Sequence, residues 1–97
     1  VINTGGVLVA SREVEDAIYL DERVAEVAVI GTPDPKWIEA VTAVVVLKDG
    51  VHATEDEIVA GTREHLAPFK VPKRVVFVDE LPRNQSGKLL KRELRQD

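Results

Sequence analysis

A chain of 97 residues, 44% hydrophobic and 31% charged, with 13 basic against 17 acidic side chains and a formal net charge of −4, is the size of one domain. Such a chain buries somewhat more than about 60% of its unfolded surface, enough for one modest core and too little for a large enclosed substrate cavity, which argues against a complete multi-substrate enzyme. No apolar run approaches the roughly 18 residues of a membrane span and no basic-then-apolar leader opens the chain, so the expectation is a soluble, cytoplasmic protein without a membrane span. The absence of cysteine removes a disulfide framework and thiolate metal sites, and the absence of methionine behind a first residue of Val1 reads as a domain excised from a longer protein.

In chain order, Gly5 and Gly6 precede a short apolar stretch, Val7 to Val9. Ser11 is placed to cap a helix whose Val14, Ala17 and Ile18 share one face, ending near Leu20. Val24 to Ile30 is dense in valine and predicts a strand, closed by the turn signal Gly31-Thr32-Pro33-Asp34-Pro35. A second strand is expected from about Val41 to Leu47. The connection of about ten residues with two prolines is too short for a helical crossover, so this pair is expected to be antiparallel.

Thr54 and Glu57 form a capping-box pattern, and Glu55, Asp56 and Glu57 put negative charge where the helix dipole favours it. A helix from Thr54 to about Leu66 follows, with Ile58, Val59, Thr62 and Leu66 as its buried stripe and Pro68 as its stop. Arg74 to Val78 reads as a third strand. Arg83-Asn84-Gln85-Ser86-Gly87-Lys88 is rich in turn formers and reads as an exposed loop, and Leu89 to Arg95 as a short amphipathic helical turn or two. The expected fold class is α+β, two main helices covering a small, mostly antiparallel three-stranded sheet.

Charge is unevenly distributed. Residues 1–67 carry 5 basic and 13 acidic side chains, net −8, and residues 68–97 carry 8 and 4, net +4. This asymmetry fits an anionic partner such as phosphate and equally an ordinary solvated surface. Nucleic acid is not expected, given the acidic body, an aromatic content of 4% and no interleaving of aromatic with basic residues. His52 and His65 lack a third ligand at metal spacing, and no nucleophile-base arrangement stands out.

Lys88 follows Gly87 in a polar turn, where its ammonium can extend from the domain without a burial penalty and act as a fixed positive charge toward phosphate or carboxylate oxygens. Read alone it is equally a surface lysine of a basic tail. It is not part of a P-loop, because Pro82 stands five before Gly87 and Leu89 replaces the required Ser or Thr. The pair Gly5-Gly6 permits positive φ and close approach of a ligand, or a plain turn. Trp37 reads as a packing anchor between the first two strands.

Taken together, Leu81-Pro82-Arg83-Asn84-Gln85-Ser86-Gly87-Lys88-Leu89-Leu90-Lys91-Arg92-Glu93-Leu94-Arg95 resembles the C-terminal signature of AMP-forming acyl-CoA synthetases of the adenylate-forming superfamily. The resemblance continues through Ala67-Pro68-Phe69-Lys70-Val71-Pro72-Lys73 with Val76-Phe77-Val78-Asp79-Glu80, through Val29-Ile30-Gly31-Thr32-Pro33-Asp34 with Trp37, and through Gly5-Gly6 followed by Arg12-Glu13-Val14-Glu15. Four matching segments in order carry far more information than one. The sequence departs from the family pattern at Val7-Leu8, Ser11-Arg12 and Ile38.

The resemblance implies that residues 1–97 form the small mobile C-terminal domain of an acid-thiol ligase whose large N-terminal domain is absent. That larger domain would bind ATP with Mg2+ and the carboxylic acid, commonly a fatty acid. Lys88 is implied as the catalytic lysine of adenylate formation, with Gly87 beside it. Gly5 and Gly6 are implied as backbone lining the channel for CoA after the small domain rotates. Lys88 is also implied as a substrate for a lysine acetyltransferase and deacetylase. The alternatives are a peptide-synthetase-type adenylation domain, whose acceptor is a carrier protein, and a stand-alone binding module without catalysis.

Overall fold

The structure, a computed structural model, describes residues 2–5, 8–35, 38–89 and 91. In chain order these form strand β1 (Ile2–Asn3), strand β2 (Leu8–Val9), helix α1 (Ser11–Tyr19), strands β3 (Val24–Asp34) and β4 (Ile38–Leu47), helix α2 (Glu55–Arg63), a 3-10 turn (Pro68–Lys70) and strand β5 (Arg74–Phe77). β1 and β2 make a two-stranded antiparallel sheet, and β3, β4 and β5 a three-stranded sheet with β4 in the middle. The fold is α+β, as the sequence predicts. Pairing is mostly antiparallel, with ten residue pairs between β3 and β4 against four parallel pairs between β4 and β5.

Alternation along β3 and β4 sends side chains to two different cores. Val27, Val29, Val41, Ala43 and Val45 face the helices and pack with Val14 and Ile18 of α1, Ile58 of α2, and Ile2 and Val9 of the small sheet. Ala28, Ile30, Val44 and Val46 face away from α1 and α2, and Leu81, Val78 and Leu89 pack there. An extra residue at Ala25 breaks the register between Val24 and Glu26 and sets this phase.

The two outer strands leave backbone N–H groups without a ladder partner, and helix side chains take them. Val27 N–H donates to the Tyr19 hydroxyl at 3.2 Å and Val29 N–H to Glu15 Oε2 at 2.8 Å. On the opposite edge, Val75 N–H donates to Glu55 Oε2 at 2.8 Å. Each helix therefore buries an apolar stripe on the sheet and covers the nearer sheet edge with a carboxylate, which blocks pairing with another chain.

Several boundaries differ from expectation for physical reasons. Ser11 is the first helical residue and not the cap; Ala10 occupies that position and makes no side-chain capping bond. β3 runs through Gly31 and Pro33 to Asp34. Pro33 lies in phase with Val27 and Val29, whose N–H groups point away from β4, so its missing donor breaks no ladder bond. β4 begins correspondingly early at Ile38, which shortens the connection. α2 ends at Arg63 with Glu64 as its C-cap, ahead of Pro68, which opens the 3-10 turn instead. The small β1/β2 sheet has no counterpart in the sequence reading. Trp37 and most of the expected C-terminal helical turn, residue 90 and residues 92–95, lie outside the described residues. Among the described residues, no helix is long and apolar enough to cross a membrane.

The capping box at the start of α2 is present: Glu57 N–H donates to Thr54 Oγ1 at 3.2 Å and Thr54 N–H to Glu57 Oε1 at 2.8 Å. Arg23 bridges from Asp21 at 2.9 Å to Glu57 at 3.6 Å, joining the end of α1 to the start of α2. The Thr54 N–H, followed by the Arg23 charge, holds the Glu57 carboxyl below its usual 4.5, and the Arg23 guanidinium holds that of Asp21 below 3.8. Both groups bind protons more readily in the unfolded chain. Their contribution is therefore complete above about pH 4.5 and is lost as the pH falls through the lowered folded values. Thermal unfolding of the Glu57→Gln domain should accordingly show a lower midpoint than the parent domain at neutral pH, with the two midpoints drawing together as the pH falls below the usual 4.5 of Glu57. A gap of constant size across that range would contradict the assignment.

Candidate functional site

The loop that carries Lys88 is a closed hairpin built around Asn84. Asn84 Oδ1 accepts the N–H groups of Ser86 and Lys88, both at 2.9 Å. Asn84 N–H donates to the Lys88 carbonyl at 3.0 Å, and Gly87 N–H to the Asn84 carbonyl at 2.9 Å. Gly87 sits at φ 81°, the left-handed region that lets a tight turn rejoin the ladder without a Cβ penalty. Below the turn, Arg83 and Leu89 form an antiparallel bridge. Arg83 Nη1 donates to the Gly87 carbonyl at 3.0 Å, and its Nη2 pairs with Glu26 of β3.

Leu81 is buried and Leu89 half-buried against the face of the sheet opposite α1 and α2, so the hairpin rises from that side. With both the N–H and the carbonyl of Lys88 engaged, only its side chain is left to move. That side chain is exposed, and among the described residues no carboxylate stands within ion-pair distance of its ammonium. The result is a cation held at its root and free at its tip, suited to meeting an anion brought by another surface.

Gly5 lies on the other side of the sheet. Its φ is 86°, and its N–H donates to Asn3 Oδ1 at 3.0 Å. Asn3 N–H in turn donates to Glu39 Oε1 at 2.9 Å. The Glu39 carboxylate reaches that point by folding across Gly31, where an added Cβ would lie 2.7 Å from Glu39 Oε2. A groove of about 210 Å3 lined by Thr4, Glu39, Val41, Pro68, Phe69 and Lys73 opens beside this turn, below the roughly 300 Å3 at which pockets enclose small ligands. Ile2 and Val9, on either side of the turn, pack on the helix side of the sheet. The structure therefore keeps the Gly5 turn and the Lys88 hairpin on opposite faces and does not bring them together. Gly6 lies outside the described residues.

A larger groove of about 610 Å3 runs between α2 and residues 68–73, with Glu55 and Asp56 facing Arg63 and Lys73. It shares no lining residue with the Lys88 hairpin. Among the described residues no group of three or more His, Cys, Asp or Glu is arranged to hold a metal ion.

With this geometry in view, comparison with known proteins is decisive at the level of family. The sequence model of the family described as "AMP-binding enzyme C-terminal domain" matches residues 13–88. The chain belongs to this family. A dioxo-octahydro-indenyl propanoyl:CoA ligase of Rhodococcus jostii (strain RHA1) is 51% identical over 94 residues, covering 97% of this chain and 18% of that protein. The long-chain-fatty-acid–CoA ligase of Bacillus subtilis (strain 168) is 44% identical over 97 residues, covering all of this chain and 17% of that protein. Among solved structures, ATP-bound MatB from Rhodopseudomonas palustris superposes with a TM-score of 0.93 at 45% identity, covering 97% of this chain and 19% of MatB. The chain thus spans under a fifth of the length of these relatives, and matches their C-terminal domain.

Within this AMP-binding enzyme C-terminal domain, the sequence reading missed the residues that organise the site rather than its tip. Asn84 was legible only as a turn former, although Asn three residues before a Gly-Lys pair is the pattern of a side chain that bonds backbone ahead of it. Glu39 had no signal beyond its nearness to Trp37. Replacing Asn84 by alanine should release two backbone N–H groups to solvent and loosen the hairpin, not the domain. Amide exchange at Ser86 and Lys88 should speed up by about fivefold or more, with exchange in β4 unchanged. Unaltered exchange at Lys88 would show that the turn does not depend on Asn84.

Proposed function

We propose that this chain is the mobile C-terminal domain, residues 1–97, of an AMP-forming acyl-CoA synthetase, and that Lys88 supplies the positive charge for adenylate formation. The observation that carries this reading is the exposed Lys88 ammonium on a backbone-closed hairpin, in a chain whose relatives are CoA ligases. In the first half-reaction a carboxylate oxygen attacks the α-phosphorus of ATP, that P–O bond forms, and the bond to pyrophosphate breaks. Negative charge approaches negative charge, so a preorganised ammonium lowers the barrier by neutralising oxygens of both reactants as they meet. A rooted hairpin contributes by limiting how far that ammonium must be reorganised.

In the second half-reaction the CoA sulfur attacks the acyl carbon, AMP leaves, and the thiol gives up its proton. The positions of Gly5 and Lys88 on opposite faces fit a domain that presents one face for each step by rotating against its partner. Gly5 and Gly6 offer backbone to the pantetheine arm in the second. The other participants are the protein's own N-terminal adenylation domain, which holds ATP, Mg2+ and the carboxylic acid, and CoA. The acyl group is a fatty or related carboxylic acid selected by that larger domain. Lys88, exposed and flexible, is also the target we assign to a lysine acetyltransferase and deacetylase; acetylation removes the charge and so switches off the first half-reaction. The cytoplasm is the assigned location.

In the full-length parent, Lys88→Ala should lower carboxylate-dependent pyrophosphate exchange by at least about a hundredfold. Thioester formation from supplied acyl-adenylate should change far less. Pyrophosphate exchange that survives the substitution unchanged would refute the role of Lys88.

A further inference from the structure

The Lys88 hairpin is secured at its second arm by a feature that neither the family signature nor the turn chemistry explains. Lys91, three residues beyond Lys88, reaches 2.8 Å from Glu15 Oε2 of α1 and donates to the Val29 carbonyl of β3 at 3.2 Å. The same Glu15 oxygen accepts Val29 N–H at 2.8 Å. Carboxylate, ammonium and the backbone N–H and carbonyl of one edge residue thus close a ring. Its members are mostly shielded, the Glu15 side chain being 18% and that of Lys91 29% exposed, which makes the pair stronger than a solvent-exposed one.

The ring fixes the chain close to the proposed catalytic lysine. Three residues span at most about 11 Å, so the backbone at Lys88 cannot move far from a clamped Lys91. The first arm is already held by Arg83 on Glu26, and Leu89 is seated against the sheet. Both clamps end on β3 or on α1 packed beside it, so the hairpin is referenced to the sheet and the helix that covers its edge.

We infer that Glu15 and Lys91 are positioning residues for Lys88: their ion pair on the β3 edge holds the root of the hairpin where the Lys88 ammonium meets the reacting oxygens. This rests on the role proposed above for Lys88. Neither residue touches substrate. Their loss relaxes the hairpin without opening the core, because Gln at position 15 still accepts Val29 N–H and Met at position 91 keeps the length of the side chain.

The test uses the full-length parent and the variants Glu15→Gln, Lys91→Met, the double variant and Lys88→Ala as reference, each measured in both half-reactions. The expected result is a fall in kcat for pyrophosphate exchange of about tenfold in either single variant, with KM for ATP and for the carboxylate unchanged. Thioester formation from supplied acyl-adenylate should stay at the parent rate, and the double variant should lose no more than the worse single one, since one ion pair is removed only once. A loss shared equally by both half-reactions would mark a merely structural pair and overturn the inference. So would a full rate of exchange in Lys91→Met and Glu15→Gln alongside a crippled Lys88→Ala, which would leave the role of Lys88 standing. An unaffected Lys88→Ala would overturn both.

Discussion

A three-stranded sheet has two open edges, and everything else in this domain is arranged around closing them. Backbone N–H groups at Val29 and Val75 face away from β4, where an unpaired donor is both a free-energy cost and an invitation to aggregate. Glu15 and Glu55, one from each helix, answer them at the same 2.8 Å. These two bonds dictate where α1 and α2 lie, since a helix must pack its apolar stripe on the sheet and still bring a short carboxylate to the rim. They also explain why the acidic side chains of the helices are more than a solvated face.

Because α1 and α2 both lie on one side, the described residues on the other side of the sheet come from the segment after β5. Leu81, Val78 and Leu89 cover Ala28, Ile30, Val44 and Val46. A segment recruited to roof a core must come and go across it, and its far end becomes a hairpin pointing outward. Lys88 owes its exposure to that route. The Gly5 turn owes its place to the opposite circumstance, being stitched through Asn3 and Glu39 to the helix side of the same sheet. One sheet therefore separates two candidate surfaces, a division of labour that suits two chemical steps taken in turn.

The uneven charge acquires a different meaning in three dimensions. Among the described residues, basic side chains of the C-terminal third pair with carboxylates of the acidic body, Lys70 with Glu13, Arg83 with Glu26 and Lys91 with Glu15. Part of the asymmetry is thus internal, a set of ties that hold the tail to the body. Lys88 stands apart from these three ties at the tip of the hairpin they secure.

The sequence by itself determined what is local. Thr54 and Glu57, three apart, specify a capping box that needs no distant partner; valine density and a short connection specify the β3/β4 hairpin; Asn, Gly and Lys within five residues specify an exposed turn with a cation. It also carried the family through its ordered motifs. What only the tertiary structure decided lies between residues far apart in the chain: Glu15 and Lys91 meeting at Val29, 62 residues before Lys91, and Arg83 meeting Glu26, 57 residues earlier. Equally undecided by pattern were the continuation of β3 through Pro33, harmless only because of its phase on an outer strand, and the parallel docking of β5. Local propensity falls silent at such points because the energy of a long-range pair depends on a sheet edge that does not exist until the strands have already assembled.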